Sequence, residues 1–375
     1  MPALVINGKD VPFSPGQTIL QAAESAGIAI PTLCWLPKTG HNNVCRICSV
    51  AVKGSERLLP ACSTPASEGM EVEADTPEVR ATRKAILSMI VEEGRHDCFM
   101  RQLPEARWPE YQKVAANRLH REHPCPSDGE CRLQELVVEY GVRVKDLQPD
   151  PKAHFPLDNS HPMITRDFSR CIQCGRCASA CNAIQVNEAI PPQFGRRDAK
   201  EHWWPLVDYE NCTHCGECLQ VCPTGALSAK KAYGLATKED RIEKIRTTCP
   251  YCGVGCQQEL RVKNGRIIEV RGVETAQPNE GRLCVKGRFG YEFIYSEDRL
   301  TDPLIRQADG SFAKATWDEA LGLIKDKFAE IIETSGPQAI AGLSCSRSIN
   351  EDSYQMQKLF RAVLKSNNID NCART

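Results

Sequence analysis

Apolar and polar residues alternate over positions 2–13, and the break around Gly8, Lys9 and Asp10 predicts a short hairpin. Over residues 16–27 the spacing becomes helical, with Thr18 placed to open the helix and Gly27 to stop it. Residues 48–52 and 70–72 alternate again and complete a small mixed sheet. Between positions 76 and 93 the period is helical, and Ile86, Leu87, Met89, Ile90 and Val91 are expected on one broad buried face. Residues 94–131 are polar and rich in His, Arg and Pro, and helical spacing resumes over 133–140. Stretches 149–162 and 230–243 have the composition of linkers. Near the end, residues 317–334 predict an amphipathic helix and residues 339–344 a buried strand, the opening of an α/β segment.

The 375 residues carry a net charge of −1, with 25% charged and 41% hydrophobic side chains. That balance describes a globular protein and gives no electrostatic basis for binding nucleic acid or an anionic membrane. No apolar run reaches the length of a membrane span, and the first residues lack a basic, apolar or twin-arginine leader. A cytoplasmic location is the expectation. Cysteine changes the picture: 21 are present, in a setting where disulfides are rare, and they fall in short-period runs. Metal ligation explains such grouping; scattered structural thiols do not.

Cys34, Cys45, Cys48 and Cys62 form the first set, with 10, 2 and 13 residues between successive members. One close pair flanked by two distant single ligands departs from zinc sites, which use two close pairs. Small neighbours such as Gly40, Val44, Ser49 and Ala51 let backbone N–H groups approach inorganic sulfide. The segments "PTLCW", "NNVCRICSV" and "LPACSTPASEGMEV" resemble the β-grasp [2Fe–2S] domain shared by the large subunit of respiratory complex I, iron hydrogenases and NAD-linked formate dehydrogenases.

A looser second set is His96, Cys98, Cys125 and Cys131, followed by "RLQELVVEYGV". The resemblance implies a [4Fe–4S] cluster held by one His and three Cys. The 26 residues between Cys98 and Cys125 exceed the usual spacing, and His123 competes with His96 for the imidazole role.

Cys171, Cys174, Cys177 and Cys181 are repeated 41 positions later as Cys212, Cys215, Cys218 and Cys222, the last followed by Pro223. This is the spacing of bacterial two-cluster ferredoxins, in which the fourth Cys of each run ligates the other run's cluster. One set is then Cys171, Cys174, Cys177 and Cys222, and the other Cys212, Cys215, Cys218 and Cys181. Gly175 and Gly216 are expected to make the tight turns that aim N–H groups at sulfur.

The fourth set, Cys249, Cys252, Cys256 and Cys284, lies in "TTCPYCGVGCQ" and "GRLCVKGRFGYEFIYSEDRLTDPLI". These segments resemble the opening [4Fe–4S] domain of molybdopterin oxidoreductases of the formate dehydrogenase type. The resemblance gives Lys286 a place between that cluster and the pterin. The four sets absorb 19 of the 21 cysteines and leave Cys345 and Cys372.

The predicted architecture is an α+β multidomain iron–sulfur protein. Its segments are a β-grasp [2Fe–2S] ferredoxin domain (1–78), a helical His/Cys [4Fe–4S] domain (79–160), a two-[4Fe–4S] ferredoxin-like domain (161–236), a molybdopterin-oxidoreductase [4Fe–4S] domain (242–298) and the start of an α/β catalytic domain (299–375). The closing "NCART" resembles the stretch just before the metal-ligating selenocysteine or cysteine of formate dehydrogenases. The catalytic residue is therefore expected directly after Thr375, and a selenocysteine UGA codon read as stop is the expected reason for the boundary. The resemblance implies one [2Fe–2S] and four [4Fe–4S] clusters, plus molybdenum or tungsten on two pterin guanine dinucleotides in the longer enzyme. Formate would be the substrate and a flavin/NAD-binding subunit the partner. The expected electron order is linear: the Cys249 set, the ferredoxin pair, the His/Cys site, then the [2Fe–2S] domain. A carrier subunit without catalysis, and a molybdopterin enzyme acting on another substrate, are the alternative readings.

Overall fold

The computed structural model describes residues 1–94, 125, 127, 130–142, 157–191, 207–233 and 242–372. Two compact units are present, Met1–Ile242 and Glu243–Thr375. The architecture is mixed α and β.

In the first unit, β1 (Ala3–Ile6) and β2 (Lys9–Pro12) form the expected hairpin. The turn falls one position earlier than expected, on Asn7-Gly8, whose φ values of 50° and 75° suit a tight two-residue loop. Helix α1 (Ile19–Ser25) opens on a capping box in which Thr18 and Gln21 exchange side-chain and backbone hydrogen bonds. A small hairpin follows, β3 (Trp35–Leu36) with β4 (Gly40–His41). With β5 (Ser49–Val52), β6 (Leu59–Pro60) and β7 (Glu71–Glu73), the first two strands build a five-stranded sheet of order β2-β1-β7-β5-β6. The β1–β7 pair is parallel and the others are antiparallel. Leu4, Ile6, Ile19, Leu20, Val50 and Val72 fill its core, and Cys48 and Cys62 belong to the same buried cluster.

Helix α2 (Pro77–Gly94) packs Ile86, Leu87, Ile90 and Val91 into one buried cluster as expected, and only Met89 departs. Its buried face is the i, i+4 stripe Val79, Arg83, Leu87 and Val91, while Met89 is 56% exposed. Met89 lies two residues from Leu87, roughly 200° around the helix, so the two cannot share a face. The stripe packs on α3 (Arg132–Glu139) through Leu133, Leu136 and Val137.

Residues 157–162, expected as linker, contain β8 (Leu157–Asp158) and the buried His161. The strand pairs with β9 (Ile164–Asp167), which also pairs with β10 (Leu227–Ala229). Between β9 and β10 lie the two cysteine runs, each ending in one short helical turn, α4 (Arg176–Ser179) and α5 (Glu217–Gln220). The positive-φ turns include the expected Gly175 and Gly216, and also Gln173 and His214, with φ of 52° and 55°.

In the second unit, β11 (Glu243–Thr248), β12 (Gln257–Lys263) and β13 (Arg266–Gly272) form an antiparallel meander. Asn264-Gly265 turns β12 into β13 with φ of 50° and 75°. A one-turn helix, α6 (Val285–Phe289), and a strand pair, β14 (Leu304–Arg306) with β15 (Phe312–Lys314), follow. Helix α7 (Trp317–Ser335) starts on a second capping box, made by Thr316 and Glu319. Its Phe328, Ile331 and Ile332 pack on Ile340, Phe360 and Leu364. The strand expected over 339–344 is shorter, β16 (Gly342–Ser344), and pairs in parallel with β17 (Ile369–Asn371). It is not buried throughout: Leu343 is 83% exposed. Between them, α8 (Asn350–Lys358) brings Asn350 Nδ2 to Gly253 O at 2.8 Å. Among the described residues no helix is long and apolar enough to cross a membrane.

Candidate iron–sulfur centres

Cys34, Cys45, Cys48 and Cys62 come together where the β3–β4 hairpin and its following loop meet β5. The thiols of Cys34 and Cys45 are hydrogen-bonded, as are those of Cys48 and Cys62. Backbone N–H groups of Asn42, Val44 and Cys45 point at the Cys34 sulfur. Asn43 and Arg46 in this loop take left-handed φ of 54° and 56°. The Cys45 hydrogen bond lowers Cys34 to about 5, and the Cys62 hydrogen bond lowers Cys48 to about 7. Their partners Cys45 and Cys62 are raised, by the same bonds and by burial. Such a dense group of thiols, cradled by amides, has the donor chemistry of a cluster site.

Arg83 anchors this loop from below. Its guanidinium donates to Ile47 O at 3.0 Å, Ser49 O at 2.9 Å and Tyr140 Oη at 3.0 Å. An Arg within a helical stripe gives no sequence signal that separates it from a surface residue, so this anchor is visible only in the fold.

Of the second set, His96 and Cys98 lie outside the described residues, as does the competing His123. Cys131 is buried, and burial, with the nearby Cys125 and Cys222, pushes it up to about 12. Its thiol donates to Pro223 O at 3.4 Å, so this set abuts the end of the second ferredoxin run.

All eight cysteines of the two runs line one pocket. Their neighbours are crossed. Cys222 acts electrostatically on Cys171, Cys174 and Cys177. Cys181 is raised by burial and by Cys215 and Cys212, and it acts in turn on Cys218. Burial pushes Cys171 up to about 11 and Cys218 to about 12, so these thiols are costly to ionise without a bound cation. A cavity lined by sulfur donors of this number fits two iron–sulfur clusters.

His161, Cys212 and His214 converge within the same region, with His161 Nε2 3.1 Å from His214 Nδ1 and 3.8 Å from Cys212 Sγ. His161 Nδ1 accepts from the backbone N–H groups of Met163 and Ile164, both at 3.0 Å. Nε2 of the neutral ring therefore carries the proton and is a donor, which disqualifies it as a metal ligand there. Neither His was legible as a site residue, because nothing in its sequence neighbourhood marks a contact made through the fold.

Cys249, Cys252 and Cys256 sit in the β11–β12 connection and meet Cys284 at the start of α6. Cys252 and Cys284 both act on Cys249 and Cys256, which burial raises. Cys249 N–H closes the loop on Cys256 O at 2.8 Å. Asn279 ties it to the Cys284 segment: Oδ1 accepts from Gln257 N at 2.7 Å, and Nδ2 donates to Gln257 O at 3.1 Å and Arg282 O at 2.8 Å. Gly287 is close-packed, since a Cβ there would lie 3.4 Å from Cys249 Sγ. Lys286 is exposed on α6, two residues from Cys284. The two remaining cysteines also meet: Cys372 Sγ is 3.7 Å from Cys345 Sγ, beyond the ends of β17 and β16.

Five family models match parts of the chain: a 2Fe-2S iron-sulfur cluster binding domain (residues 3–77), two overlapping 4Fe-4S dicluster domains (170–226 and 205–259), the molybdopterin oxidoreductase Fe4S4 domain (242–296) and molybdopterin oxidoreductase (299–375). Models of iron–sulfur domains are thus followed along the chain by models of the N-terminal region of molybdopterin oxidoreductases. It is 32% identical to the alpha subunit of an NADPH-Fe(3+) oxidoreductase of Geobacter sulfurreducens, over 100% of this chain and 40% of the relative. It is 33% identical to a subunit of an NADH-quinone oxidoreductase of Rhizobium meliloti, over 99% of this chain and 40% of the relative. A provisionally named formate dehydrogenase of Staphylococcus aureus is 29% identical over 99% of this chain and 39% of its own length. The chain therefore spans about two fifths of these relatives. Among solved structures, an NAD+-reducing [NiFe]-hydrogenase is similar with a TM-score of 0.50 and 28% identity, over 63% of this chain and 90% of that one.

Proposed function

We propose that this chain is the electron-relay portion of a formate dehydrogenase, serving formate oxidation at a molybdenum or tungsten pterin centre and delivering electrons toward a flavin/NAD-binding subunit. The observation that carries the relay is the eight-cysteine cavity with its crossed neighbours. Cys171, Cys174, Cys177 and Cys222 would hold one [4Fe–4S] cluster, and Cys212, Cys215, Cys218 and Cys181 another. Cys34, Cys45, Cys48 and Cys62 would hold a [2Fe–2S] cluster, Cys249, Cys252, Cys256 and Cys284 a [4Fe–4S], and His96, Cys98, Cys125 and Cys131 the last. Bound there, the clusters supply acceptance and release of single electrons. The protein supplies spacing, amide donors and exclusion of water.

In the first unit Asn42 of the Cys34 loop touches the Cys171 run, Pro223, beside Cys222, accepts from Cys131, and Cys131 shares a buried cluster with Leu33 and Ile47 of the Cys34 site. For formate, the support is the "NCART" resemblance and the Staphylococcus aureus relative. For a flavin/NAD partner, it is the likeness to an NAD+-reducing hydrogenase. Lys286, two residues after Cys284, is the residue we assign to passing electrons between cluster and pterin.

The test uses the full-length gene product co-purified with its partners. Formate-dependent NAD reduction that falls in Lys286→Met, with iron content retained, is the expected result. Reduction by NADH of another acceptor, with no response to formate, would replace formate by a different substrate and leave the relay standing.

A further inference from the structure

The amide of Asn42 stands between two of these sites. Its Nδ2 donates to Cys174 O at 2.9 Å and to Cys34 O at 3.4 Å, and its Oδ1 accepts from Ser179 Oγ at 2.8 Å. Two carbonyl acceptors on one side and a hydroxyl donor on the other fix which end is nitrogen. Cys34 and Cys174 are both buried ligand candidates from different sites. The hairpin that delivers Asn42 is itself docked at this spot, because Leu36 of β3 is buried against Ala180 and Val221. One side chain therefore joins the backbone of a [2Fe–2S] ligand to that of a [4Fe–4S] ligand, with a serine holding it in place.

We propose that Asn42 is the positioning residue that couples the Cys34 site to the Cys174 site. It holds the two ligand loops in register and closes a hydrogen-bonded path between them, Cys174 carbonyl to amide to Cys34 carbonyl. Each transfer along it moves one electron, oxidising the donor site and reducing the acceptor, with no proton required. Tunnelling through bonds and hydrogen bonds decays more slowly than through a gap, so the path matters for rate. Asn42 touches ligand carbonyls and not sulfurs through its side chain, so the potentials of the two sites should be insensitive to it. The inference rests on both sets being cluster ligands.

The full chain, reconstituted anaerobically with iron and sulfide, is compared with Asn42→Leu and Ser179→Ala. Leucine approximates the volume of asparagine and has no polar atom. Rapid freeze-quench EPR follows redistribution of electrons from sub-stoichiometric dithionite between the [4Fe–4S] and [2Fe–2S] signals, and a redox titration gives the midpoint potentials. Asn42→Leu is expected to slow redistribution about tenfold, the low end of the cost of losing a partner outside the ligand shell. Ser179→Ala, which only frees the amide to turn, slows it less, and both keep wild-type potentials. A wild-type rate in Asn42→Leu at full iron content overturns the proposal, as does a rate change explained by a shifted potential. If Asn42→Leu fails to take up the [2Fe–2S] cluster, a wild-type rate in Ser179→Ala overturns it instead. A wild-type chain that shows no [2Fe–2S] signal would refute the ligand assignment itself, a separate outcome.

Discussion

Arg83 and Tyr140 are joined by a 3.0 Å hydrogen bond from guanidinium to phenol, and the Arg83 guanidinium also lies 5.9 Å from the centre of the Tyr140 ring. The same guanidinium holds Ile47 O and Ser49 O, on either side of the ligand candidate Cys48. Arg83 thus links the α2–α3 pair to the loop that carries this ligand candidate. Arg83→Met keeps the apolar stem and strands three buried acceptors, at a cost of about 3 kcal/mol. Chemical denaturation of the reconstituted protein checks this, and the [2Fe–2S] absorption should be lost before the other clusters bleach. Tyr140→Phe removes one of the three bonds and should cost about 1 kcal/mol.

The crossed neighbours of the two runs make paired mutants informative. Cys222→Ala should abolish the cluster of Cys171, Cys174 and Cys177 and leave the other in place. Cys181→Ala should do the reverse. EPR spectra of the two variants would then show complementary losses. If each mutation instead removed the cluster of its own run, the uncrossed pairing would be right.

Asn279 is buried and satisfies three backbone groups across the β11–β12 loop and the Cys284 segment. Asn279→Leu removes the Asn279 partner of Gln257 N and of Arg282 O, while Gln257 O keeps the Val273 N–H, a loss of about 2 kcal/mol in the second unit. The expected readout is selective: iron bound by Cys249, Cys252, Cys256 and Cys284 leaves more readily under a chelator, while the first unit retains its own.

Anaerobic reconstitution should load about 18 iron atoms per chain, from one [2Fe–2S] and four [4Fe–4S] centres. A count near 8 with zinc bound would sink the relay. Stripping the iron should also lower stability, since buried thiols packed around an unfilled cavity lose both ligand bonds and contacts.

Cysteine spacing was the most legible feature of the sequence, because a cluster's size fixes which neighbours on a tight loop can reach it. The strands around β1 and the capping box at Thr18 were legible for a similar reason, being set by adjacent residues. Arg83, Asn42, Asn279 and His161 were not. Each acts through a contact between distant parts of the chain, and its own neighbours give no hint of it. Glycine was an incomplete guide as well: Gln173 and His214 take left-handed backbone beside Gly175 and Gly216, so half of the turning in each run is done by residues with a Cβ. The Asn264-Gly265 turn, by contrast, carries a local signal, since that dipeptide suits a two-residue hairpin loop on its own. On α2 the expected face holds Ile86, Leu87, Ile90 and Val91, and only Met89 turns outward, because an apolar run does not show which of its members lies off the stripe.

The interleaving of the two cysteine runs bears on how the molecule is made. Iron bridging Cys222 to the first run, and Cys181 to the second, would fasten the chain to itself twice, each closure enclosing the other's ligands. Neither could be completed on a nascent chain before the second run emerged, so metal uptake would report that both halves had arrived. Once closed, the two fastenings would restrict the unfolded chain much as crosslinks do. Maturation would then act as a quality check, in which a polypeptide interrupted before Cys222 is left with thiols and no means of locking them.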